Sequence, residues 1–466
     1  MQLFDTLSGR KESLPREKGK PLNLFVCGPT VYDYLHIGNA RTYLVFDAFV
    51  KFLRSEKIKV FYLQNITDVD DKIIARAKEE KTSPEVIAQK YTAIYRRNMR
   101  NLLITAVDTY ASATEFIPQI VTQIQTLIDK GYAYKIPNDG WYFDISKFHN
   151  YGRLARRTRE QAEDGVSRID ESVEKRNKGD FCLWKFSHDG DPNWKTELGE
   201  GRPGWHIEDT AISEHYFGSQ YELHGGGVDL KFPHHEAEIA QQESASGKAP
   251  FVKIWMHVGA LTINGVKMSK SKNNYVTIED FLKKYSANIL RLIALTHHYR
   301  SPLNYTESMV EDHVKSWATL LEFLGKLRFV EKHAIVKHNP PKGKIQEFDK
   351  ALENDFNTPA AIGVIFRRVG ELQPKVWKFS KSEARGFYSD ITACLKSLGF
   401  SPEPPKIPRK IEELSSKREQ SRRNKQFVQA DGLRGEIERL GYIVEDTPLG
   451  PYICQKNLSS KFLPKI

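Results

Sequence analysis

The chain has 466 residues, enough for two to four domains around a large core, and 28% of them are charged. Lys and Arg outnumber Asp and Glu by 70 to 59, a net charge of +11 that suits a polyanionic partner. The polar stretch from Met1 to Lys20 lacks the apolar block of a signal peptide, no 18-residue apolar run follows, and the four cysteines are scattered, so membrane and disulfide-stapled classes give way to a reducing cytoplasm.

The run Leu24-Phe25-Val26-Cys27 predicts a strand that breaks at Gly28-Pro29, and Leu44, Val45, Ala48, Phe49, Phe52 and Leu53 recur at helical spacing after it. His36-Ile37-Gly38-Asn39 falls at that helix start, where unpaired N–H groups and the dipole attract phosphate. Gly38 lets the backbone approach a nucleotide, and His36 and Asn39 supply further donors. Val60 to Leu63 predicts a second strand and the residues from about Lys72 a second helix. This alternation predicts an α/β fold with a doubly wound, Rossmann-like parallel sheet, whose ligands sit at the strands' carboxyl ends, where Cys27, His36, Thr67 and Asp68 fall. Residues 1–104 form its first half. Residues 105–204, a helix followed by turn-rich, aromatic-rich sequence such as Gly140-Trp141-Tyr142-Phe143, read as an inserted connective domain, and 205–277 as the second half, with Phe251 to Trp255 as a buried strand.

Within that half, His224-Gly225-Gly226-Gly227 leads to Pro233-His234-His235-Glu236-Ala237-Glu238. Pro233 suits a helix start, which sets His234 and Glu238 on one face as two ligands of one metal, while His235 and Glu236 read as solvated. Cys27 and the segment Trp205 to Asp209 are expected to converge on them from neighbouring strand ends. Lys267-Met268-Ser269-Lys270-Ser271 lies between the turn Asn264-Gly265 and a helix starting near Thr277. Its two lysines suit the charge that builds on a triphosphate as pyrophosphate leaves. Residues 278–400 predict a helical bundle interrupted at His338-Asn339-Pro340-Pro341. Beyond the joint Ser401-Pro402-Glu403-Pro404-Pro405, residues 401–466 hold 13 Lys or Arg against 9 Asp or Glu, in a polar helical run to about Leu440 and a hairpin around Pro448 to Pro451.

In order and separation, the His36 and Lys267 stretches resemble the two signatures of class I aminoacyl-tRNA synthetases, the first of which usually ends in His where this chain has Asn39. The resemblance narrows to the cysteinyl-tRNA synthetases on Cys27 to Asp33, Asn65 to Lys72, Gly201 to Glu208, the triple-glycine run through Glu238, and His298-Tyr299-Arg300-Ser301. It implies ATP-dependent ligation of L-cysteine to tRNA(Cys) through a cysteinyl-adenylate, by a cytoplasmic monomer with Mg-ATP as substrate and one zinc ion selecting the substrate thiol. The family's Cys₂HisGlu zinc ligands map onto Cys27, Asp209, His234 and Glu238, with Asp209 in place of the second Cys and Glu208 or water as the alternative there. Ligand charge is preserved, but a carboxylate leaves the metal harder than a thiolate does.

The resemblance further assigns phosphate stabilisation to His36, Asn39, Lys267 and Lys270, and ATP binding to Gly38, Ser269 and Ser271. It implies a cysteine and adenylate pocket of Gly28, Thr30, Thr67, Trp205, His224 and Asp229. The basic module is implied to bind the anticodon through Arg422, Phe427, Asp431 and Asp446, since aromatics stack on splayed bases and charged groups read their edges. Cys182, Cys394 and Cys454 are expected in apolar structure. Two other readings stand: a related ligase joining cysteine to an amino sugar, and a non-catalytic RNA-binding paralogue.

Overall fold

Apolar runs with both faces covered build the main parallel sheet. β1 (Leu22–Val26), β2 (Val60–Ile66), β3 (Thr109–Ser112), β4 (Tyr221–Gly227) and β5 (Val252–Val258) form a five-stranded parallel sheet in the order β5-β4-β1-β2-β3. The chain is described here by a computed structural model over residues 1–157, 174–188, 190–268, 274–334 and 345–456. Strand order reverses between β1 and β4, which opens a crevice at the carboxyl ends of those two strands. α1 (Ile37–Ser55) follows β1 and buries Leu44, Val45, Ala48, Phe49, Phe52 and Leu53, the stripe expected from their spacing.

β3 lies past residue 104, so the parallel sheet runs into the segment expected to be the insertion. In the rest of that segment a helix, Ile117–Asp129, precedes an antiparallel sheet of five short strands between Ala133 and Pro203. α2 (Ile207–Phe217) leads into β4, and α3 (His234–Ser246) connects β4 to β5. α3 ends at Gly247, whose φ of 72° is left-handed and costs glycine nothing.

Cα packing divides the chain into two units. The first is Met1–Thr262, Met268–Ile278 and Tyr299–Leu303; the second is Ile263–Lys267, Glu279–His298 and Asn304–Ile466. The second unit is mainly helical, centred on α4 (Glu307–His333), with helices at Thr358–Leu372 and Lys381–Ser397. The expected break at 338–341 lies outside the described residues. α5 (Arg409–Arg423) and α6 (Phe427–Arg439) follow the proline joint, and β6 (Tyr442–Thr447) pairs with β7 (Gly450–Gln455) in the expected hairpin. No helix among the described residues is long and apolar enough to cross a membrane.

Candidate active site

At the crevice, Cys27 follows directly on β1 and its N–H donates to Gly225 O at 3.1 Å. Its Sγ lies 3.2 Å from His224 Nε2, 3.1 Å from His235 Nε2 and 3.8 Å from Glu238 Oε1. His234 Nε2 stands 3.0 Å from Glu238 Oε1, the predicted pairing one helical turn apart, and 3.1 Å from Asp209 Oδ2. Donor atoms of Cys27, His234, His235 and Glu238 all fall within 4.8 Å of one another, a spacing that one ion spans, and all four residues are buried.

The donor set fits zinc. Burial, then Glu238 and Asp209, push the Cys27 thiol well up; burial and Asp209 do the same to Glu238, whose Oε2 is buried without a hydrogen bond. Burial pushes His224 and His235 well down, so they are neutral imidazoles with lone pairs to give. Carboxyls and a thiol crowded in this way are relieved by a bound cation, which lets them ionise.

Surrounding groups fix the rings. Tyr221 OH lies 2.6 Å from His224 Nδ1, His206 Nδ1 lies 2.8 Å from His234 Nδ1, and the Trp205 ring stacks on His234 with centroids 4.6 Å apart. His257 Nε2 is 2.8 Å from His235 Nδ1, and its Nδ1 is 2.8 Å from Thr6 Oγ1. Such partners set tautomer and orientation at a metal centre. Asn65 Nδ2 donates to Asp209 Oδ1 at 2.5 Å, and its Oδ1 accepts the Gly28 N–H at 2.6 Å. The Thr67 hydroxyl donates to Glu208, whose carboxyl is pushed up by burial and then by Asp209.

Two expectations need correction here. Asp209 projects from the first turn of α2, not from a strand end, although it reaches the same place. His235 and Glu236 are not solvated: both are buried, and Glu236 accepts N–H bonds from Gly152 at 3.1 Å and Ala155 at 2.6 Å. α3 is buried nearly all round, and the signal for that was its freedom from Lys and Arg. A second signal is Gly226, where a Cβ would sit 2.9 Å from His235 Cε1. His206, His257 and Asn65 had no periodic pattern to mark them.

At the start of α1, His36 is the N-cap. Its Nδ1 accepts the Asn39 N–H while Asn39 Oδ1 accepts the His36 N–H, both at 3.2 Å. This capping box uses His36 Nδ1 and Asn39 Oδ1 and does not involve His36 Nε2 or Asn39 Nδ2. Burial lowers the pKa of His36, partly offset by Asp229. Gly38 has a further use, since a Cβ there would meet Met268 Cε at 2.5 Å and the His36 ring at 2.9 Å. Thr30 and Thr67 bridge the ends of β1 and β2, and Val31 N donates to Thr67 O at 3.1 Å. Lys267 is exposed and belongs to the second unit, while Ser269, Lys270 and Ser271 lie outside the described residues.

In the second unit, Phe427 is 61% exposed and Asp431 is exposed. Asp446 is held by bidentate bonds from Arg418 at 2.8 and 2.9 Å and by Arg422 at 2.5 Å, which bring its pKa down to about 2. Arg418, of the basic pair Lys417-Arg418, is buried, a partner for Asp446 that the sequence did not assign. Of the remaining cysteines, Cys182 packs with Tyr134, Ile136 and Tyr142, and Cys394 and Cys454 are half-buried.

The parallel sheet with a helix start at its switch point, together with a family match over most of its length, places the chain in the class I synthetase architecture. Residues 14–315 match the family model for the tRNA synthetase class I (C) catalytic domain, and residues 347–400 match the DALR domain. The structure resembles Mycobacterium tuberculosis methionyl-tRNA synthetase in complex with methionyl-adenylate, with a TM-score of 0.59 and 15% identity over 83% of this chain and 92% of that one, a likeness of fold. A cysteine–tRNA ligase from Thermoplasma volcanium is 40% identical over 96% of this chain and 98% of its own length. Another from Caldicellulosiruptor saccharolyticus is 41% identical over 97% and 98%. The chain belongs to the cysteine–tRNA ligase family.

Proposed function

We propose that the chain joins L-cysteine to tRNA(Cys) through a cysteinyl-adenylate. The observation that carries this reading is the buried Cys27, His234, His235 and Glu238 cluster at the sheet's switch point, in a chain about 40% identical to cysteine–tRNA ligases. The substrate carboxylate attacks the α-phosphorus of Mg-ATP; an acyl–phosphate bond forms, the α–β phosphoanhydride breaks and pyrophosphate leaves. A hydroxyl of the tRNA's 3′-terminal adenosine then attacks the acyl carbon and AMP leaves. His36 Nε2, Asn39 Nδ2, Lys267 and Lys270 offset phosphate charge in the first step, and Gly38, Ser269 and Ser271 contact the nucleotide. Gly28, Thr30, Thr67, Trp205, His224 and Asp229 line the cysteine and adenylate pocket.

Cys27, Asp209, His234 and Glu238 would hold the zinc, with Asn65 orienting Asp209 and His235 Nε2 as a further donor within reach. When bound, the metal supplies a soft partner for the substrate sulfur, a sulfur-versus-oxygen distinction that an apolar pocket enforces weakly. Arg422, Phe427, Asp431 and Asp446 serve the anticodon. The test supplies full-length protein with ATP and labelled cysteine, and offers tRNA and an amino sugar as rival acceptors. Label should appear on tRNA; label on the sugar alone, or on neither, would refute the reading.

A further inference from the structure

Arg41 lies one turn into α1 and is 1% exposed. Its guanidinium donates to three main-chain carbonyls: Gly259 O at 2.7 Å and Ala260 O at 3.0 Å through Nη1, and Ser301 O at 2.6 Å through Nη2. Gly259 and Ala260 directly follow β5, and Ser301 belongs to the His298-Tyr299-Arg300-Ser301 motif, which has no task in the reading above. The two segments also meet each other, since Gly259 N donates to Tyr299 O at 2.8 Å and Leu303 N to Ala260 O at 2.9 Å. Contact is close enough that a Cβ on Gly259 would sit 2.4 Å from Ser301 O.

A second tie secures the same helix start. Ile37 N donates to Val276 O and Ile278 N to Leu35 O, both at 3.0 Å, and Tyr275 OH donates to Tyr34 O at 2.5 Å. The stretches on either side of residues 261–274, the part of the chain that includes Lys267, are therefore both fastened to the end of α1 that bears His36 and Asn39. One fastening is a main-chain ladder; the other runs through the buried Arg41 guanidinium, whose pKa burial lowers to about 10. A planar fork can meet three carbonyls at once, which an ammonium does less well. Burying a guanidinium is costly, and an apolar side chain would fill the space at lower cost.

We propose that Arg41 is a positioning residue for adenylate formation: it holds the phosphate-facing start of α1 in register with the end of β5 and with Ser301. The inference rests on the activity proposed above. Near-attack geometry is sensitive to small displacements, and an error of about 1 Å can cost about 10²-fold in rate.

The test compares Arg41→Met and Arg41→Lys in the full chain by cysteine-dependent exchange of pyrophosphate into ATP, with heat unfolding and circular dichroism to confirm folding. Arg41→Met should lower the exchange kcat by about 10²-fold and raise the KM for ATP, while the KM for cysteine stays within about twofold. Arg41→Lys should recover part of the rate, to roughly a tenth of wild type and not to the full value, by serving some of the carbonyls. A folded Arg41→Met protein with unchanged kcat and ATP KM overturns the proposal, as does an equal worsening of cysteine KM and kcat. Should Arg41→Met fail to fold, a folded Arg41→Lys protein with wild-type kcat and ATP KM overturns it as well. Absence of exchange in the wild type would instead defeat the activity itself.

Discussion

Asp209 stands where the resemblance implies a second cysteine ligand, and its surroundings suit a carboxylate. One oxygen is taken by Asn65, which turns the other toward His234 Nε2. Asp209→Cys should tighten zinc retention and Asp209→Ala should loosen it while relaxing rejection of serine, as read by zinc content and the cysteine-to-serine ratio of activation. A folded Asp209→Ala protein with both values unchanged would move the role to His235, whose own alanine variant then becomes the one to lose zinc. Asp446 offers a test of a different kind. Its folded pKa of about 2 lies below the unfolded value of 3.8, so its stabilisation is complete above pH 3.8 and fades as pH falls through about 2. Asp446→Asn should therefore cost about 1 kcal/mol at neutral pH, a figure reduced for its partial exposure. Urea unfolding should show the gap from wild type shrinking below pH 4; a gap independent of pH would contradict the ion-pair account.

Among elements, those with strong periodicity could be read in advance. α1, β1, β2 and the hairpin of β6 and β7 stand where apolar spacing and turn residues put them, because local preference and final packing agree there. His234 and Glu238 were legible for the same reason: they share a helical face whichever way the helix packs. His235 was harder to read, since one residue's step turns a side chain by about 100° and the lack of Lys and Arg along α3 was the sequence signal that it is enclosed on that side too. β3 was missed because four residues carry too little pattern to tell strand from loop. In the second unit, Tyr452 of β7 packs against Phe329 of α4 with ring centroids 5.3 Å apart, so deleting residues from 401 onward would strip α4 as well as remove the basic module. Phe427→Ala is the cleaner probe. Its exposure predicts a stability change within about 0.5 kcal/mol, and the anticodon reading predicts impaired charging of tRNA with unchanged pyrophosphate exchange. Equal effects on both reactions, or on neither, would remove Phe427 from the RNA surface.

At the scale of the whole chain, a parallel sheet carries two chemistries at one switch point: a helix start suited to phosphate and a thiol–imidazole–carboxylate cluster suited to a soft metal. The motifs pointed to both, but the contacts by which Tyr221, His206, His257, Asn65 and Thr6 surround the cluster join distant segments, and only Asn65 and His206 stand within the motifs read from the sequence. Lys270→Ala should lower exchange by roughly 10²–10³-fold with cysteine binding intact, since an ammonium matched to developing phosphate charge acts in the transition state. Equal losses in cysteine affinity and rate would count against that role. The most direct measurement is amino-acid-dependent exchange of pyrophosphate into ATP by the zinc-replete full-length protein, with cysteine and serine compared side by side. Robust exchange with cysteine, little with serine, and loss of the cysteine signal on chelation with recovery on adding zinc are the predicted results. No exchange with cysteine when zinc is present, or equal exchange with serine, would contradict the account.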